Sequence, residues 1–596
     1  MCGIVSEPRK YFESFVCNYL TILNKFNETE SRTMNIIFIS PSYILLSALL
    51  SFILILSGSL SNISIYAMEF TTTTTPIKHL VVLFQENSSF DHYFATYPIA
   101  ENTAGEPQFL ADSSTPEVNN LRTAGLLDQN PNSALPFRLD RSQALMCDND
   151  HSYTAEQKAY NGGKVNKFVQ STASVKPGFL FPYREKCLFP PNTGKAIGMM
   201  GYYDGNTVTG LWNYAQKFAM SDNFFGSTFG PSTPGHINLI SGQTHGATCV
   251  KVDSLGILKN YYHTRCLKGA VSQGTMIYDP DPAYDDCSAS LEDLAITHFV
   301  VPVNDAVPTF SVVSMAGKNV GDLLNNKSVT WGWFSAGFKP TSTSQTKNCG
   351  HSYHTPDPKS GVFVNDYYAN VEPFQYYATT SNPHHTPTDQ ANHQYDLSDF
   401  WNATLSGNMP SVSFIKAPSY QQEHPGISTP LLGQQFVVNI MNRLQQLPQW
   451  EDMAVIITYD DSDGWYDHVM PPIVNPSSDR KTDRLFGSAL CGDTVEGAYQ
   501  DRCGYGPRLP MLVISPYAKV NYIDHTITDH TSILRFIEDN WGLGRIGDQS
   551  FDAKAGSIKG MFNFTAGQKA NKLFLDPESG TIISEAVASQ VFALPF

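Results

Sequence analysis

The chain has 596 residues, a formal net charge of −16, 16% charged residues and 12% aromatic residues. This length accommodates one large domain with insertions, or two domains, and can bury a substantial core. The acidic balance argues against a protein that binds nucleic acid through its phosphates, because such a protein needs a basic face. The low charge and the many aromatic residues exclude a disordered chain.

The first 75 residues differ in composition from the rest of the chain. Residues 44–60 form an uncharged apolar run followed by small residues, which is typical of a secretory signal peptide or an uncleaved signal anchor. Met34 is a natural start, so we interpret 1–33 as a mis-extended flank, with a genuine N-terminal flank as the alternative. The export segment is then 34–67, and 68–75 is a Thr-rich spacer. We expect export to the periplasm or outside the cell, or anchorage to a membrane by the apolar segment.

Eight of the ten cysteines follow the apolar run, since only Cys2 and Cys17 precede it. An even number of cysteines after an export segment indicates disulfide bonds in an oxidising compartment. Cys491 and Cys503 are close in sequence and form the local candidate pair. The alternative is a set of buried free thiols.

Three short apolar runs predict buried strands, at residues 80–84, 454–457 and 511–514. Continuous apolar runs of this length are typical of parallel strands that are covered on both faces. Residues 431–444 and 532–541 carry apolar side chains at helical spacing, and Thr528 or Asp529 can cap the second helix.

Strands that alternate with helices predict an α/β sandwich, with a mainly parallel central sheet and helices on both faces. We expect one domain over residues 76–596. Two long stretches, about 100–200 and 245–400, are rich in Gly, Pro, Tyr and Asn and lack clear periodicity. We interpret them as insertions into that domain.

Two of the predicted strands end in acidic or amide side chains. Residues 80–84 lead into Glu86 and Asn87, and 454–457 lead into Asp460 and Asp461. Functional groups collect at the carboxyl edge of such sheets, and converging carboxylates repel one another unless a cation neutralises them. The pattern therefore predicts a site for one divalent metal ion. The alternatives are a turn in which Asn87 caps the next helix, and an Asp-rich turn or surface calcium loop at Asp460.

Ser232 lies in the segment FGPSTPGH, where Pro and Gly indicate a tight turn before a helix. A hydroxyl at a helix N-terminus faces unpaired amides that favour its alkoxide and bind phosphate. Contact with a metal would make it a nucleophile. The alternative role is a simple helix cap. A Gly-x-Ser-x-Gly elbow is absent at this turn, which disfavours a triad esterase.

Several segments resemble a known family. IKHLVVLFQENSSFDHYF, MGYYDGNTVTGLWNYAQ, FGPSTPG, YDDSDGWYDHV and YGPRLPMLVISPYAKVNYIDH are similar to the bacterial phosphoesterases, which comprise acid phosphatases and phospholipases C. The similarity runs in order from residue 76 to the C-terminus and is greatest to the respiratory-burst-inhibiting acid phosphatase branch. It implies the alkaline-phosphatase-like fold.

The resemblance also implies roles for individual residues. Ser232 matches the nucleophile, which also contacts the metal, and His151 and His424 match histidines that contact the phosphoryl oxygens. For a lone histidine the usual alternative is a surface or structural role. The implied ligands of the single metal ion are Glu86, Asn87, Ser232, Asp460 and Asp461.

The chain departs from the family at one place. Where relatives carry a His-His pair, it has Asn370 and Val371. We expect Asn370 to line the substrate site, where it can donate a hydrogen bond but cannot carry charge. His384-His385 matches a separate family feature and is not an obvious replacement.

These observations predict a secreted metal-dependent hydrolase of phosphomonoesters or phospholipids. A sulfatase is disfavoured, because the Cys/Ser-x-Pro-x-Arg signature is missing at the nucleophile. The aromatic-rich insertions suit contact with a membrane surface, or ordinary packing. The alternative function is an exported surface-binding protein on an impaired phosphoesterase scaffold, which only the altered His pair supports.

Overall fold

The computed structural model describes most of the chain beyond residue 71. The described residues are 72–173, 197–252, 258–259, 271–272, 275–276, 278–288, 311–339, 353–354, 364–387, 392–476, 499, 503–565 and 572–591. The predicted flank and export segment lie outside them, as do residues 68–71 of the Thr-rich spacer. Thr71–Phe596 forms one compact unit.

Among the described residues, a sheet of eight strands forms the centre of this unit. In chain order the strands are β1 His79–Gln85, β2 Ala219–Ser221, β3 Trp331–Ser335, β4 Gln394–Asp396, β5 Val412–Lys416, β6 Met453–Tyr459, β7 Met511–Ile514 and β8 Tyr522–Asp524. Their order across the sheet is β4-β3-β5-β1-β6-β7-β2-β8. The first five strands in that order are parallel. This confirms the predicted mainly parallel sheet and the three predicted strands.

The direction of β7 differs from the expectation. β7 is antiparallel to β6 and to β2, although its apolar run has the form expected of a parallel strand. All four of its residues are buried. A strand that is buried on both faces has the same composition in either direction, so the run itself carries no information on orientation.

Helices cover both faces of the sheet. They are α1 Phe90–Phe94, α2 Tyr153–Tyr160, α3 Phe168–Ser171, α4 Thr209–Lys217, α5 Ser232–Ser241, α6 Val320–Asn326, α7 Leu397–Leu405, α8 Pro430–Leu444, α9 His530–Trp541 and α10 Glu585–Val591. On one face α5 packs against α6 and α9, and on the other α4 packs against α8. Successive side chains of β1 point to opposite faces of the sheet. Phe84 contacts α5 and α9 on one face, and Gln85 points towards α8 on the other.

Shorter elements surround the sheet. Two-residue strand pairs and a three-stranded sheet are formed by Phe137–Arg138, Gly201–Tyr202, Phe224–Phe225, Ala247–Val252, Leu258–Lys259, Val271–Ser272, Thr275–Met276, Ser311–Met315, Tyr353–His354, Val364–Asn365, Thr528–Asp529, Phe574–Leu575 and Ile582–Ile583. The 3-10 turns are Arg141–Gln143, Asn161–Gly163, Gly198–Met200, Ala369–Val371, Pro373–Tyr376, Ser419–Gln421, Pro448–Asp452, Phe551–Ala553 and Ile558–Met561.

Two strands of the central sheet come from the stretch 245–400, which the composition predicts to be an insertion. β3 and β4 pair with each other, and β3 also pairs with β5. β3 has only five residues, including Trp331 and Trp333, and all are buried. So short an aromatic run carries too little periodicity to indicate a strand.

Cys147, Cys287 and Cys503 each form a disulfide bond. This agrees with the prediction of disulfides and contradicts the alternative of free thiols at these positions. Cys491 lies outside the described residues, so its pairing with Cys503 stays a prediction. Within the described part of the chain, the helices are all too short or too polar to cross a membrane.

One close approach fixes α5 on the sheet. A Cβ built on Gly235 of α5 would lie 2.3 Å from the carbonyl oxygen of Asp460, just beyond β6. Only a glycine therefore lets this helix lie directly against the end of the strand.

Gly235→Ala should push α5 away from β6. We expect the free energy of unfolding to fall by about 1–3 kcal/mol, the usual cost of overpacking. Chemical denaturation with matched m-values would measure it. An unchanged free energy would contradict the close approach.

Candidate active site

The carboxyl ends of β1, β5 and β6 lie at one edge of the sheet, because these strands are parallel neighbours. The pairing of Gln85 with Tyr459 places the next residues, Glu86 and Asp460, side by side. The backbone amide of Asn87 donates to Asp460 Oδ1 at 2.9 Å. Strand-end side chains that are far apart in sequence are thus brought together, as expected.

Ser232 is the first residue of α5 and faces this edge. Its Oγ lies 2.9 Å from Asp461 Oδ2, 3.4 Å from Asn87 Oδ1 and 3.5 Å from Glu86 Oε2. The N-cap of α5 is Pro231, so Ser232 is not the helix cap. Ser89 rather than Asn87 caps the following α1. The simple capping alternatives are therefore wrong at both positions.

Asp460 follows β6 and lies beside Glu86, Asn87 and Asp461 in what we call the strand-end cluster. Its Oδ1 accepts from the amides of Asn87 and Asp461, at 2.9 and 2.8 Å. Its Oδ2 is buried and has no hydrogen-bond partner among the described residues. His236 Nδ1 lies 3.5 Å from that oxygen, and the His236 Nε2 is also buried without a hydrogen bond there. Glu86, His236 and Asp460 offer ligand atoms within 4.8 Å of one another, which is close enough to hold a cation.

Burial raises the pKa of Asp460 well above its usual range, and repulsion from Glu86 and Asp461 adds to it. The pKa of Asp461 is also raised, first by burial. Three buried carboxyl groups at one edge are therefore poorly compatible with full ionisation. Carboxylate oxygens that repel one another in this way are suitable ligands for a divalent cation, which would neutralise them.

Lys416, the last residue of β5, was not predicted at this site. It is buried, and its ammonium pairs with Glu86. Burial raises the pKa of Glu86, but the charges of Lys416, His236 and His424 outweigh it and lower that pKa to about 2. The only sequence feature that could have indicated Lys416 is its place at the end of the apolar run VSFIK. A surface lysine after a strand gives the same pattern.

His151 and His424 lie beside each other, with ring centroids 6.2 Å apart. His151 Nδ1 is 2.8 Å from the carbonyl of Asn149 and 3.5 Å from Asp463 Oδ1. Burial lowers the pKa of His151, but the neighbouring carboxylates, led by Asp461, hold it well above its ordinary value. The neighbouring carboxylates thus favour the protonated form of His151.

Asn370 lies in the 3-10 turn Ala369–Val371 and is buried. Its carbonyl accepts from Thr233 Oγ1 at 3.0 Å, which places the turn against the start of α5. His385 is elsewhere, 2.9 Å from Asp285 Oδ1, and His384 is exposed beside Asp286. Both histidines thus pair with aspartates outside the strand-end cluster.

Two further carboxyl groups lie at the turn of Ser232 and were not predicted from the sequence. Glu156 of α2 accepts from the amide of Gly230 at 2.8 Å and from the hydroxyl of Ser462. Burial raises its pKa to about 8. Asp279 accepts from the amide of Thr233 at 2.8 Å, and burial raises its pKa to about 6. Neither residue sits in a motif, so only tertiary contacts identify them.

The sequence model of the phosphoesterase family matches residues 77–544. The non-hemolytic phospholipase C of Pseudomonas aeruginosa is 24% identical over 86% of this chain and 61% of that relative. Phospholipase C B of Mycobacterium tuberculosis is 25% identical, over 84% and 80% respectively. Non-specific phospholipase C3 of Arabidopsis thaliana is 23% identical, over 76% and 66%. The chain thus spans about three fifths of the Pseudomonas relative and four fifths of the mycobacterial one.

Two solved structures show weaker similarity. Murine ectonucleotide pyrophosphatase/phosphodiesterase 5 aligns with a TM-score of 0.27 at 9% identity, over 60% of this chain and 95% of the other. A protein in the alkaline phosphatase superfamily from Vibrio parahaemolyticus aligns with a TM-score of 0.25 at 11% identity, over 88% and 87%. Both scores are low, so we describe the fold from the strand order of the central sheet and not from these structures.

A divalent metal ion should stabilise the protein and lose affinity in acid. The pKa of Asp460 is raised, and a ligand must be deprotonated to bind, so protons compete with the metal. Calorimetric titration of chelator-treated protein with Ca²⁺, Mn²⁺ and Zn²⁺ should give weaker binding at pH 5.5 than at pH 7.5. Asp461→Asn should weaken it at least about tenfold.

Asp452→Asn is the matched control for that titration, because Asp452 lies just before β6, at the opposite edge of the sheet. It should bind metal like the wild type. Equal weakening in both variants, or no binding of any of the three ions, would contradict the metal site.

Glu156→Gln should change how stability depends on pH. The folded pKa of Glu156 is raised from 4.5 to about 8, so its contribution is complete below pH 4.5 and is lost as pH rises through about 8. The amide does not titrate. Thermal unfolding of the metal-free proteins should therefore show the variant gaining stability relative to wild type between pH 5 and pH 9.

The same substitution at the exposed Glu117 is the control and should leave the pH profile unchanged. A constant difference between Glu156→Gln and wild type across that range would contradict the assignment.

Proposed function

The chain belongs to the phosphoesterase family, and from this membership and its site we propose that it hydrolyses phosphoric esters with Ser232 as the nucleophile. The single observation that carries the proposal is the position of Ser232 Oγ, within 2.9–3.5 Å of three acidic or amide side chains at the strand ends. The proposed ligands of one divalent metal ion are Glu86, Asn87, Ser232, Asp460 and Asp461.

The residues around Ser232 suit activation of its hydroxyl. The hydroxyl donates to Asp461 Oδ2, which makes that oxygen the nearest acceptor for the proton. When bound, the metal ion supplies positive charge that lowers the pKa of the hydroxyl and neutralises the carboxylates. Ser232 also stands at the N-terminus of α5, where the positive end of the helix dipole favours the developing negative charge.

In the proposed reaction Ser232 Oγ forms a bond to phosphorus while the bond from phosphorus to the leaving oxygen breaks. The leaving alcohol takes up a proton, and water then cleaves the phosphoserine to release phosphate, or a phosphomonoester head group, and free Ser232. His151 and His424 are proposed to contact the phosphoryl oxygens. The raised pKa of His151 supports a cationic donor that can also protonate the leaving oxygen.

The substrate is proposed to be a phosphomonoester or a phospholipid. Similarity to three proteins named phospholipase C supports the second class. The turn of Asn370 packs on α5 beside Ser232 and lacks the charge of the family's His pair, so Asn370 is proposed to bind substrate by hydrogen bonding.

Export is proposed from the apolar segment within 34–67, which lies outside the described residues. The disulfide bonds of Cys147, Cys287 and Cys503 support it, because such bonds persist in oxidising compartments.

Ser232→Ala should abolish hydrolysis, by at least about 10⁴-fold in kcat, because no bond to phosphorus can form. The assay compares p-nitrophenyl phosphate with p-nitrophenyl phosphorylcholine, with a divalent metal supplied and after chelation. The Ala variant should unfold at a temperature close to that of wild type. Ser241→Ala is the control, at the last residue of the same helix, and should retain activity.

The two substrates also separate the candidate functions. Preference for the monoester supports an acid phosphatase, and preference for the diester supports a phospholipase C. Wild-type protein that hydrolyses neither substrate with metal supplied would instead favour the surface-binding alternative. Turnover by Ser232→Ala at the wild-type rate would contradict the mechanism.

A further inference from the structure

Behind the site, on the face of α8, lies a buried carboxyl group that the proposed reaction does not use. Glu423 is 4% exposed and has a φ of 82°, in the left-handed region that non-glycine residues rarely adopt. Such a backbone conformation persists only where the surrounding contacts enforce it, and it is concentrated at functional sites. His424, the next residue, belongs to the proposed active site.

Three side chains donate hydrogen bonds to this carboxyl group. The Tyr93 hydroxyl donates to Oε2 at 2.6 Å, and the amide of Gln85 donates to Oε1 at 3.0 Å. The hydroxyl of Tyr459 lies 3.2 Å from Oε1 and 3.1 Å from Oε2. Both carboxyl oxygens are therefore fully engaged.

The positions of these partners in the chain are not arbitrary. Gln85 directly precedes Glu86, Tyr459 directly precedes Asp460, and Glu423 itself precedes His424. Because successive side chains of a strand point to opposite faces, Gln85 and Tyr459, at the ends of β1 and β6, point away from the site when Glu86 and Asp460 point into it. Glu423 thus links, on the side away from the site, the three segments that carry Glu86, Asp460 and His424.

The segment is also held by its backbone and by its packing. The amide of Glu86 donates to the carbonyl of Gln422 at 2.8 Å, which ties the end of β1 to the residue before Glu423. A Cβ on Gly433 of α8 would lie 2.0 Å from Glu423 Cγ. The absence of a side chain at Gly433 therefore lets the Glu423 side chain pack directly against the backbone of α8.

We propose that Glu423 is a positioning residue, which sets the relative placement of Glu86, Asp460 and His424 through Gln85, Tyr459 and its own backbone. The inference rests on the proposed function, since it assigns these three residues to one site. Partners outside the ligand shell of this kind typically change metal affinity or activity by 10–100-fold when removed.

The test replaces Glu423 with Leu, which is similar in size but cannot accept hydrogen bonds, and with Gln, which keeps one acceptor. With p-nitrophenyl phosphate as substrate, Glu423→Leu should lower kcat at least about tenfold and change KM less. It should also weaken binding of the divalent ion that supports wild-type activity at least about tenfold. Glu423→Gln should stay within about threefold of wild type in both, because the tyrosine hydroxyls can accept from its amide.

Glu538→Leu is the matched control. Glu538 is buried and bound by Arg545 and the amide of Ile546, two turns along α9 from His530. It should lower the unfolding temperature while leaving kcat and metal affinity of the folded protein unchanged. A merely structural role of Glu423 predicts this same result for Glu423→Leu, which would overturn the inference.

The double variant Tyr93→Phe/Tyr459→Phe covers the case in which Glu423→Leu does not fold, because it removes two donors and creates almost no cavity. It should lower kcat and metal affinity in the same direction, and wild-type values would overturn the inference. If wild-type protein itself neither hydrolyses the substrate nor binds an ion, the proposed function fails instead, and the two failures are distinct.

Discussion

Repulsion among buried carboxyl groups at one edge of the sheet is the constraint on which the rest of the site depends. Parallel pairing of β1 with β6 brings Glu86 beside Asp460, and Asp461 follows directly. Burial and mutual repulsion raise the pKa of Asp460 well above its usual range. The ammonium of Lys416 offsets the charge of Glu86, and the orphaned Oδ2 of Asp460 leaves a place for a further cation. Positive charge is therefore needed at this edge because the parallel pairing of β1 and β6 brings the carboxyl groups together.

Several contacts hold this unfavourable arrangement in place. The absence of a side chain at Gly235 lets α5 reach the end of β6, and Ser232 enters the cluster with it. Glu156 joins the turn before Ser232 to Ser462, and Glu423 lies behind β1 and β6. Groups that do not contact Ser232 themselves thus support the strand-end cluster on several sides. Rigid support of this kind is what a preorganised electrostatic site requires.

The strand-end cluster and the residues proposed to bind substrate lie on different parts of the molecule. The cluster is built on strand ends and on α5, whereas Asn370 and His151 lie on connecting segments outside the central sheet. Loops accept substitution more readily than strand ends, since fewer buried contacts depend on them. Under the proposed function, Asn370 and Val371 in place of the His pair of the resembled family change the surroundings of the substrate and not the strand-end cluster. Family membership indicates phosphoester hydrolysis, and we propose that the residues on these connecting segments select the ester.

The sequence alone determined the parts of this protein that are local in the chain. The apolar runs of β1, β6 and β7, the helices α8 and α9, and the polar residues at the strand ends are each readable within a few residues. Family resemblance added His151 and His424. Only the tertiary structure decided the antiparallel direction of β7, the pairing of Lys416 with Glu86 and the carboxyl contacts of Glu156 and Glu423. Those partners lie tens to hundreds of residues apart, and no periodicity or spacing encodes which buried charge will meet which.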